Sequence, residues 1–271
     1  MTITILGASG FIGGHLRRCL EASGVSYQAP GRNEDLRGRH LGRVIDCAGI
    51  TADFRMRPYD TVDAHVGRVV EIVKHCSFDS FVYLSSTRLY KDHPSQSACE
   101  DDDLTVSPLG VGGLYNLSKA TGEAVVLTLG ERGCVVRLSN VYGQGSEAHN
   151  FLASIIRDAL TTGRIELRTS LDSAKDYVSV ADVVELLPRI APGARERIYN
   201  VAGGAKVANA DIAAAISRLT GCTVSVKADA ERWSYPDIDI ARVRSEFGFA
   251  PSHLLDDLPG LVETHRKLVS Q

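Results

Sequence analysis

The sequence predicts an α/β protein: a doubly wound parallel sheet with a smaller C-terminal part. Three observations carry that reading. A short apolar run, Ile3-Thr4-Ile5-Leu6, leads straight into a glycine-rich stretch, Gly7-Ala8-Ser9-Gly10-Phe11-Ile12-Gly13. Short apolar runs then alternate with segments of helical apolar spacing, the pattern of βαβ units. No internal repeat or low-complexity linker interrupts that alternation.

Taken in order, the first run reads as a buried parallel strand because apolar residues fill it without a polar face. The glycines behind it permit a sharp turn, and His15, Leu16, Cys19 and Leu20 mark the helix that follows. The interval from Gly13 to Asp46 is too short for a further βαβ insert, so residues 32–43 are expected as a compact loop. Arg43-Val44-Ile45-Asp46-Cys47-Ala48-Gly49 reads as a strand closed by glycine, and Val62, Val66, Val69, Val70 and Val73 place a helix over 62–76. Phe81-Val82-Tyr83-Leu84 is a third strand, running into Ser85-Ser86-Thr87. A helix over 114–129 and the strand Cys134-Val135-Val136-Arg137-Leu138 come next. Helical patterns recur at 151–160 and 182–187, and Ile198-Tyr199-Asn200-Val201 is strand-like. Residues 208–219 read as a helix stopped by Gly221, before the alternating strand Thr223-Val224-Ser225-Val226.

Bulk properties narrow the function. The 271 residues are 44% hydrophobic and 23% charged, a globular composition. A net charge of −3 without charge runs argues against a nucleic-acid or membrane partner. The Asp101-Asp102-Asp103 cluster after Glu100 reads as a solvated loop. Six cysteines lack C-x-x-C spacing and read as thiols in a reducing compartment. The eight histidines form no ligand grouping, so no metal is expected, and His65 and His75 read as packing or surface residues. With no signal-like start and no apolar span of membrane length, a cytoplasmic protein is expected.

Chemistry concentrates in three places. A helix that opens on Gly7 to Gly13 presents backbone N–H groups to an anion, and a dinucleotide pyrophosphate suits that geometry. Tyr115 and Lys119, four apart on a helix, share a face. A phenol has a pKa of about 10, and a neighbouring ammonium would lower it enough for acid–base work on a carbonyl. The strand 81–84 delivers the hydroxyls of Ser85, Ser86 and Thr87 to the sheet edge where parallel-sheet ligands sit. One of them could hold a substrate oxygen, and the residue types leave open which; a loop-capping role is the plain alternative.

These motifs together resemble the extended short-chain dehydrogenase/reductase family, the NAD-dependent epimerase/dehydratase group. The resemblance runs over most of the chain. It continues through Asp35-Leu36, Leu84 to Tyr90, Arg137 to Gly143, Asp176 to Asp182 and Phe247 to Pro251. It implies a Rossmann-type fold with a dinucleotide-binding domain over 1–145, to which 176–204 returns, and a substrate-binding part from 146–175 and 205–271. It implies Tyr115 as acid/base, Lys119 as pKa-lowering group and ribose ligand, and Ser86 as the catalytic hydroxyl. Gly7, Ser9, Gly10, Phe11, Ile12, Gly13, Asp35, Leu36, Cys47, Ala48 and Gly49 would contact the cofactor. Thr87, Arg88 and Asn140 would reach substrate. Thr87-Arg88 stands where the family's dehydratases carry Asp-Glu, which argues against sugar 4,6-dehydration. Lys175 replaces an Arg common before Asp-Tyr, weakening a bidentate diphosphate clamp. Arg55, Arg57, Arg164 and Arg168 are weaker phosphate candidates.

Residues 27–33 offer no acid for a ribose 2′-hydroxyl, whereas Arg32 could meet a 2′-phosphate, which favours NADP over NAD. The alternative is a solvated Arg32 with Glu34 or Asp35 on the ribose. The expected reaction is NADPH reduction of a keto group on a nucleotide-activated sugar. An epimerase with tightly held NAD, a cofactor-sensing regulator without catalysis, and reduction of a non-sugar carbonyl are the rivals. A homodimer through the 62–76 and 114–129 helices is expected from the resemblance alone.

Overall fold

The computed structural model describes residues 2–110, 112–145 and 150–269. The start of the expected 146–175 segment and His149 lie outside the described residues. The chain begins with β1 (Ile3–Leu6), α1 (Phe11–Ala22), β2 (Tyr27–Gln28) and β3 (Arg43–Asp46). A long helical segment follows: α2 (Pro58–Val62), one π-helical turn (Asp63–Gly67) and α3 (Arg68–His75). Then come β4 (Ser80–Ser86), a 3₁₀ turn (Thr87–Tyr90), β5 (Ser97–Ala98), α4 (Gly113–Leu127), β6 (Gly133–Leu138) and β7 (Asn140–Tyr142). The remainder comprises α5 (Phe151–Thr162), β8 (Arg164–Thr169), β9 (Ala174–Ser179), α6 (Val180–Ile190), β10 (Ile198–Val201), β11 (Lys206–Ala208), α7 (Asn209–Thr220), β12 (Thr223–Glu231), β13 (Asp237–Ile238), α8 (Ala241–Phe247) and α9 (Leu254–Val269).

Six strands form the central sheet in the order β10-β6-β4-β3-β1-β2, every neighbouring pair parallel. From β1 the chain steps to β2 on one side and then to β3 on the other. The crevice at the carboxyl ends of β1 and β3 is therefore the switch point where such sheets bind ligands. As expected, no helix separates β2 from β3.

Side-chain alternation splits the sheet's packing between two faces. Ile3, Ile5, Ile45, Val82, Leu84 and Val136 pack with Leu16 and Leu20 of α1 and with the apolar side of α6. Leu6, Val44, Phe81, Tyr83 and Val135 pack instead with Val69 and Ile72 of α3 and Val126 of α4. A separate cluster joins α5, α7 and α9 to β8 through Ile156, Ile165, Leu167, Ile212, Ile216 and Leu258. Not all of 205–271 belongs with it. Ile238, Ile240, Val243 and Phe249 pack in the sheet-side cluster, because α8 lies against β10. Three small sheets accompany these parts among the described residues: β9 pairs with β7 in parallel and β11 antiparallel, β12 runs along β8, and β13 pairs in parallel with β5.

A buried polar chain crosses beneath the carboxyl ends of the sheet. The Arg137 guanidinium pairs with Glu123 at 2.7 Å and donates to the Tyr90 hydroxyl at 2.5 Å. The Tyr90 hydroxyl in turn donates to Asn200 at 2.9 Å. Asn200 closes the chain by donating its backbone N–H to Glu100 at 2.8 Å. Glu100 is thus a buried network member, not part of a solvated acidic loop.

Candidate active site

The glycine stretch forms the turn between β1 and α1. Gly7 has φ +73°, and a Cβ placed there would lie 2.7 Å from the backbone N of Ala48. A Cβ at Gly13 would lie 2.2 Å from the carbonyl oxygen of Gly7. Both contacts are with backbone, so these positions require glycine for α1 to approach β1 and β3 this closely. Gly10 caps α1 without a side-chain hydrogen bond, and no acidic residue occupies the first turn. The positive end of α1 is thus left to an outside anion. Ser9, Phe11 and Ile12 sit on this turn and first helical step, and Cys47, Ala48 and Gly49 line the facing end of β3.

The structure brings Ser86, Tyr115 and Lys119 together. Ser86 ends β4, and its Oγ accepts from the Arg88 backbone N–H at 3.2 Å, so it also caps the 3₁₀ turn. The side chains of Ser86 and Thr51 lie near enough to the Tyr115 hydroxyl to draw its pKa down. One turn further along α4, Lys119 Nζ donates to the Leu84 carbonyl at 2.7 Å and lies 4.8 Å from the centre of the Tyr83 ring. Tyr115 and Lys119 are 3% and 4% exposed, so both polar groups operate in a desolvated pocket.

The electrostatics correct one expectation. Burial raises the Tyr115 phenol above its ordinary range, and the neighbouring charge that opposes this is Arg88, not Lys119. Lys119 is itself pushed down to about 8 by burial, against the pull of Asp46 and Glu123. The physical reason is geometric: Lys119 Nζ turns toward the end of β4 and its carboxylate neighbours. The guanidinium of Arg88 instead stands over the Tyr115 ring at 5.4 Å and the Phe54 ring at 5.2 Å.

Residues that the sequence did not assign to the site complete the pocket, among them His65, expected as a packing or surface residue. His65, on the π-helical turn, is fully buried and packs edge-on against Tyr115 with ring centres 5.2 Å apart. Its Nδ1 is 2.8 Å from Ser118 Oγ, and its Nε2 accepts from the Ile50 N–H at 3.3 Å. An Nε2 that accepts makes this a neutral ring with the proton on Nδ1, and burial lowers its pKa to about 3. Asp46 accepts from the Ala48 N–H at 3.0 Å, with burial raising its carboxyl to about 6. Thr51 and Phe54 belong to a loop with no motif of its own. The π turn, a common feature of functional segments, was hidden in an otherwise regular helical pattern.

Other expected residues are placed as follows. Asn140 donates from Nδ2 to the Asp176 carbonyl at 2.7 Å, which joins β7 to β9. Thr87 is buried behind Ser86. Asp35 is an exposed carboxylate paired with Arg37 at 3.2 Å, whereas Leu36 is buried in the α3-side cluster. Arg32 is exposed at the rim of a cavity of about 280 Å³ between the 32–37 loop and α3. Arg55 stacks on Phe54 at 5.4 Å, and Arg57 pairs with Asp60 at 2.8 Å. Arg164 and Arg168 point outward from β8. Lys175 is half-buried with Nζ 4.8 Å from the Trp233 ring centre, and desolvation and Arg88 both lower its pKa. Arg88 therefore links the Tyr115 pocket to a second, aromatic-walled region containing Lys175, Trp233 and Tyr235.

Two observations fit this cleft to a dinucleotide: the uncapped start of α1, and a cradle at Gly7 and Gly13 that any side chain would fill. Among the described residues no group of three or more His, Cys, Asp or Glu is arranged to hold a metal ion, and no helix is long and apolar enough to cross a membrane. All six cysteines are free thiols.

Residues 39–202 match the model of the NAD dependent epimerase/dehydratase family. The chain belongs to this family. Two curated Streptomyces proteins are similar to it. A dTDP-4-dehydro-6-deoxy-D-allose reductase from Streptomyces sp. is 28% identical over 68% of this chain, and a dTDP-glucose 4,6-dehydratase from Streptomyces griseus is 27% identical over 69%. The chain spans 59% of the length of each. Among solved structures, MoeE5 in complex with UDP-glucose and NAD superposes with a TM-score of 0.82 at 22% identity, over 99% of this chain and 100% of that one. The matched family region begins after the glycine turn, so the turn's geometry is a separate support for the dinucleotide cleft.

Proposed function

We propose that this family member reduces a keto group on a nucleotide-activated sugar, with NADPH as the cofactor. The observation that carries the reading is the buried Tyr115 phenol set beside the side chains of Ser86 and Thr51, with the Arg88 guanidinium over its ring at 5.4 Å. Burial keeps the Tyr115 phenol protonated at neutral pH, which suits a proton donor. Reduced nicotinamide, when bound, supplies the hydride. Ser86 Oγ donates to the substrate oxygen and holds it against Tyr115, which passes its proton to that oxygen as negative charge develops there. Lys119 fixes α4 on β4 through Leu84 and keeps positive charge near the ribose end of the cleft. Thr51 supplies a second hydroxyl to the phenol, through which the proton can be replaced from solvent, since Thr51 is exposed.

Several features support the substrate class. Arg88 and Lys175 place two cations beside Trp233 and Tyr235, suiting a diphosphate carrying an aromatic base. The named reductase relative acts on a dTDP-linked keto sugar. Thr87-Arg88 in place of an acidic pair disfavours dehydration. NADP is favoured over NAD because residues 27–33, which include the end of β2, offer Arg32 and no acid.

The test is incubation of the chain with NADPH and a dTDP-linked 4-keto-6-deoxy sugar. The reading expects loss of reduced-nicotinamide absorbance matched one-for-one by a new sugar hydroxyl. Inversion of a sugar carbon without net cofactor oxidation replaces it with an epimerase, and no reaction on any nucleotide sugar rejects it.

A further inference from the structure

The loop between β2 and β3 resolves which groups beside the cofactor cleft are free to bind. Of the carboxylates that line the cavity beside this loop, Glu71 faces His75 at 3.8 Å, and Glu34 and Asp35 are engaged within the loop itself. Glu34 accepts from the Gly31 N–H at 3.0 Å and pairs with Arg39. Asp35 accepts from the Arg37 backbone N–H at 3.1 Å and from Arg37 Nε at 3.2 Å. Arg37 and Arg39 are thereby spent on these acids.

Two arginines remain on the cavity of about 280 Å³, Arg32 on the loop and Arg68 at the start of α3. Arg68 was not singled out by any sequence pattern. Its guanidinium donates to the Arg32 carbonyl, which ties the two residues together. Its Nε is buried with no hydrogen-bond partner among the described residues. A buried donor of that kind is costly unless a ligand completes it. Arg68 also lies close enough to Asp46, at the end of β3, to lower that carboxyl's pKa, so it reaches toward the switch-point crevice.

We propose that Arg68 and Arg32 together receive the 2′-phosphate of NADP, with Arg68 as the residue that selects it over NAD. The proposal rests on the reading that the cleft binds a nicotinamide dinucleotide. A dianionic phosphate monoester offers the oxygens that two guanidinium forks need, whereas a bare 2′-hydroxyl offers them a single neutral acceptor. Glu34 stays compatible with a phosphate nearby because Arg39 balances its charge.

Calorimetric titration of the full chain with NADPH, NADH, 2′,5′-ADP and 5′-ADP tests this. Wild type is expected to prefer NADPH over NADH, and 2′,5′-ADP over 5′-ADP, by about tenfold or more. Arg68→Gln is expected to lower NADPH affinity by about tenfold while leaving NADH affinity within about twofold, so that NADH also reports a folded variant. Equal binding of the two ADP isomers by wild type overturns the proposal whether or not the variant folds. So does a loss in Arg68→Gln that is equal for both dinucleotides, or absent. If wild type binds neither dinucleotide, the cofactor reading itself fails and the proposal fails with it.

Discussion

Lys119 Nζ donates to the Leu84 carbonyl at 2.7 Å, and this bond fastens the helix that carries Tyr115 to the strand that delivers Ser86. A single buried cation thereby sets the register between the two hydroxyls. Removing it leaves a buried carbonyl unpaired and lets α4 shift on β4. Lys119→Met is expected to lose most activity, with a fall in thermal stability of about 1–3 kcal/mol. Turnover and thermal melts on the same preparation check both effects.

Ser86 caps the 3₁₀ turn and, in the proposed reaction, holds the substrate oxygen against Tyr115. Ser86→Ala is expected to reduce kcat by about two to three orders of magnitude, as for loss of a single oxyanion-stabilising donor. Steady-state kinetics check it. Because the turn also loses its cap, a drop of about 1 kcal/mol in stability accompanies the change.

Glu123 and Arg137 are both buried, and their pair bridges α4 and β6. Glu123→Gln leaves the Arg137 charge without its counter-ion. Loss of one partner of such a pair costs about 3–5 kcal/mol, which denaturant unfolding would read as a lower midpoint.

His65 supplies the clearest pH signature. Its pKa falls from 6.5 to about 3 on folding, so the unfolded chain binds a proton there that the folded chain refuses. The stability this group contributes is complete above about pH 6.5 and is lost as pH falls toward about 3. Asp46 works in the opposite sense, because its raised carboxyl keeps its proton in the folded chain up to about 6. The comparison that isolates the histidine is wild type against His65→Gln. The wild type should lose stability more steeply than the variant on acidification through that window, measured by unfolding midpoints at successive pH values.

The parallel sheet was legible because β1, β3, β4, β6 and β10 are short and apolar enough to be unambiguous. The glycine turn was legible for the same reason its geometry is strict: Gly13 meets the Gly7 carbonyl directly. β8 was not, although Ile165 and Leu167 alternate with charged residues in the manner of a half-buried strand. α9 was hidden by Asp256, Asp257 and Pro259 within its first turns. At the site, the shared face of Tyr115 and Lys119 followed from spacing, and strand order brought Ser85, Ser86 and Thr87 to the sheet edge, but only the family resemblance picked out Ser86. The charge logic did not follow. Spacing on a helix shows that Tyr115 and Lys119 share a face, but which cation stands over the ring depends on Arg88, which arrives from another element. Thr51, Phe54 and Arg68 were invisible for a related reason, since only tertiary packing brings them to the cleft.

The central claim, that the Tyr115 hydroxyl passes the proton, is tested most directly by the single-turnover rate of Tyr115→Phe with saturating NADPH and keto sugar. The account predicts a rate about two to four orders of magnitude below wild type, with NADPH affinity unchanged. A variant that turns over at the wild-type rate would contradict it.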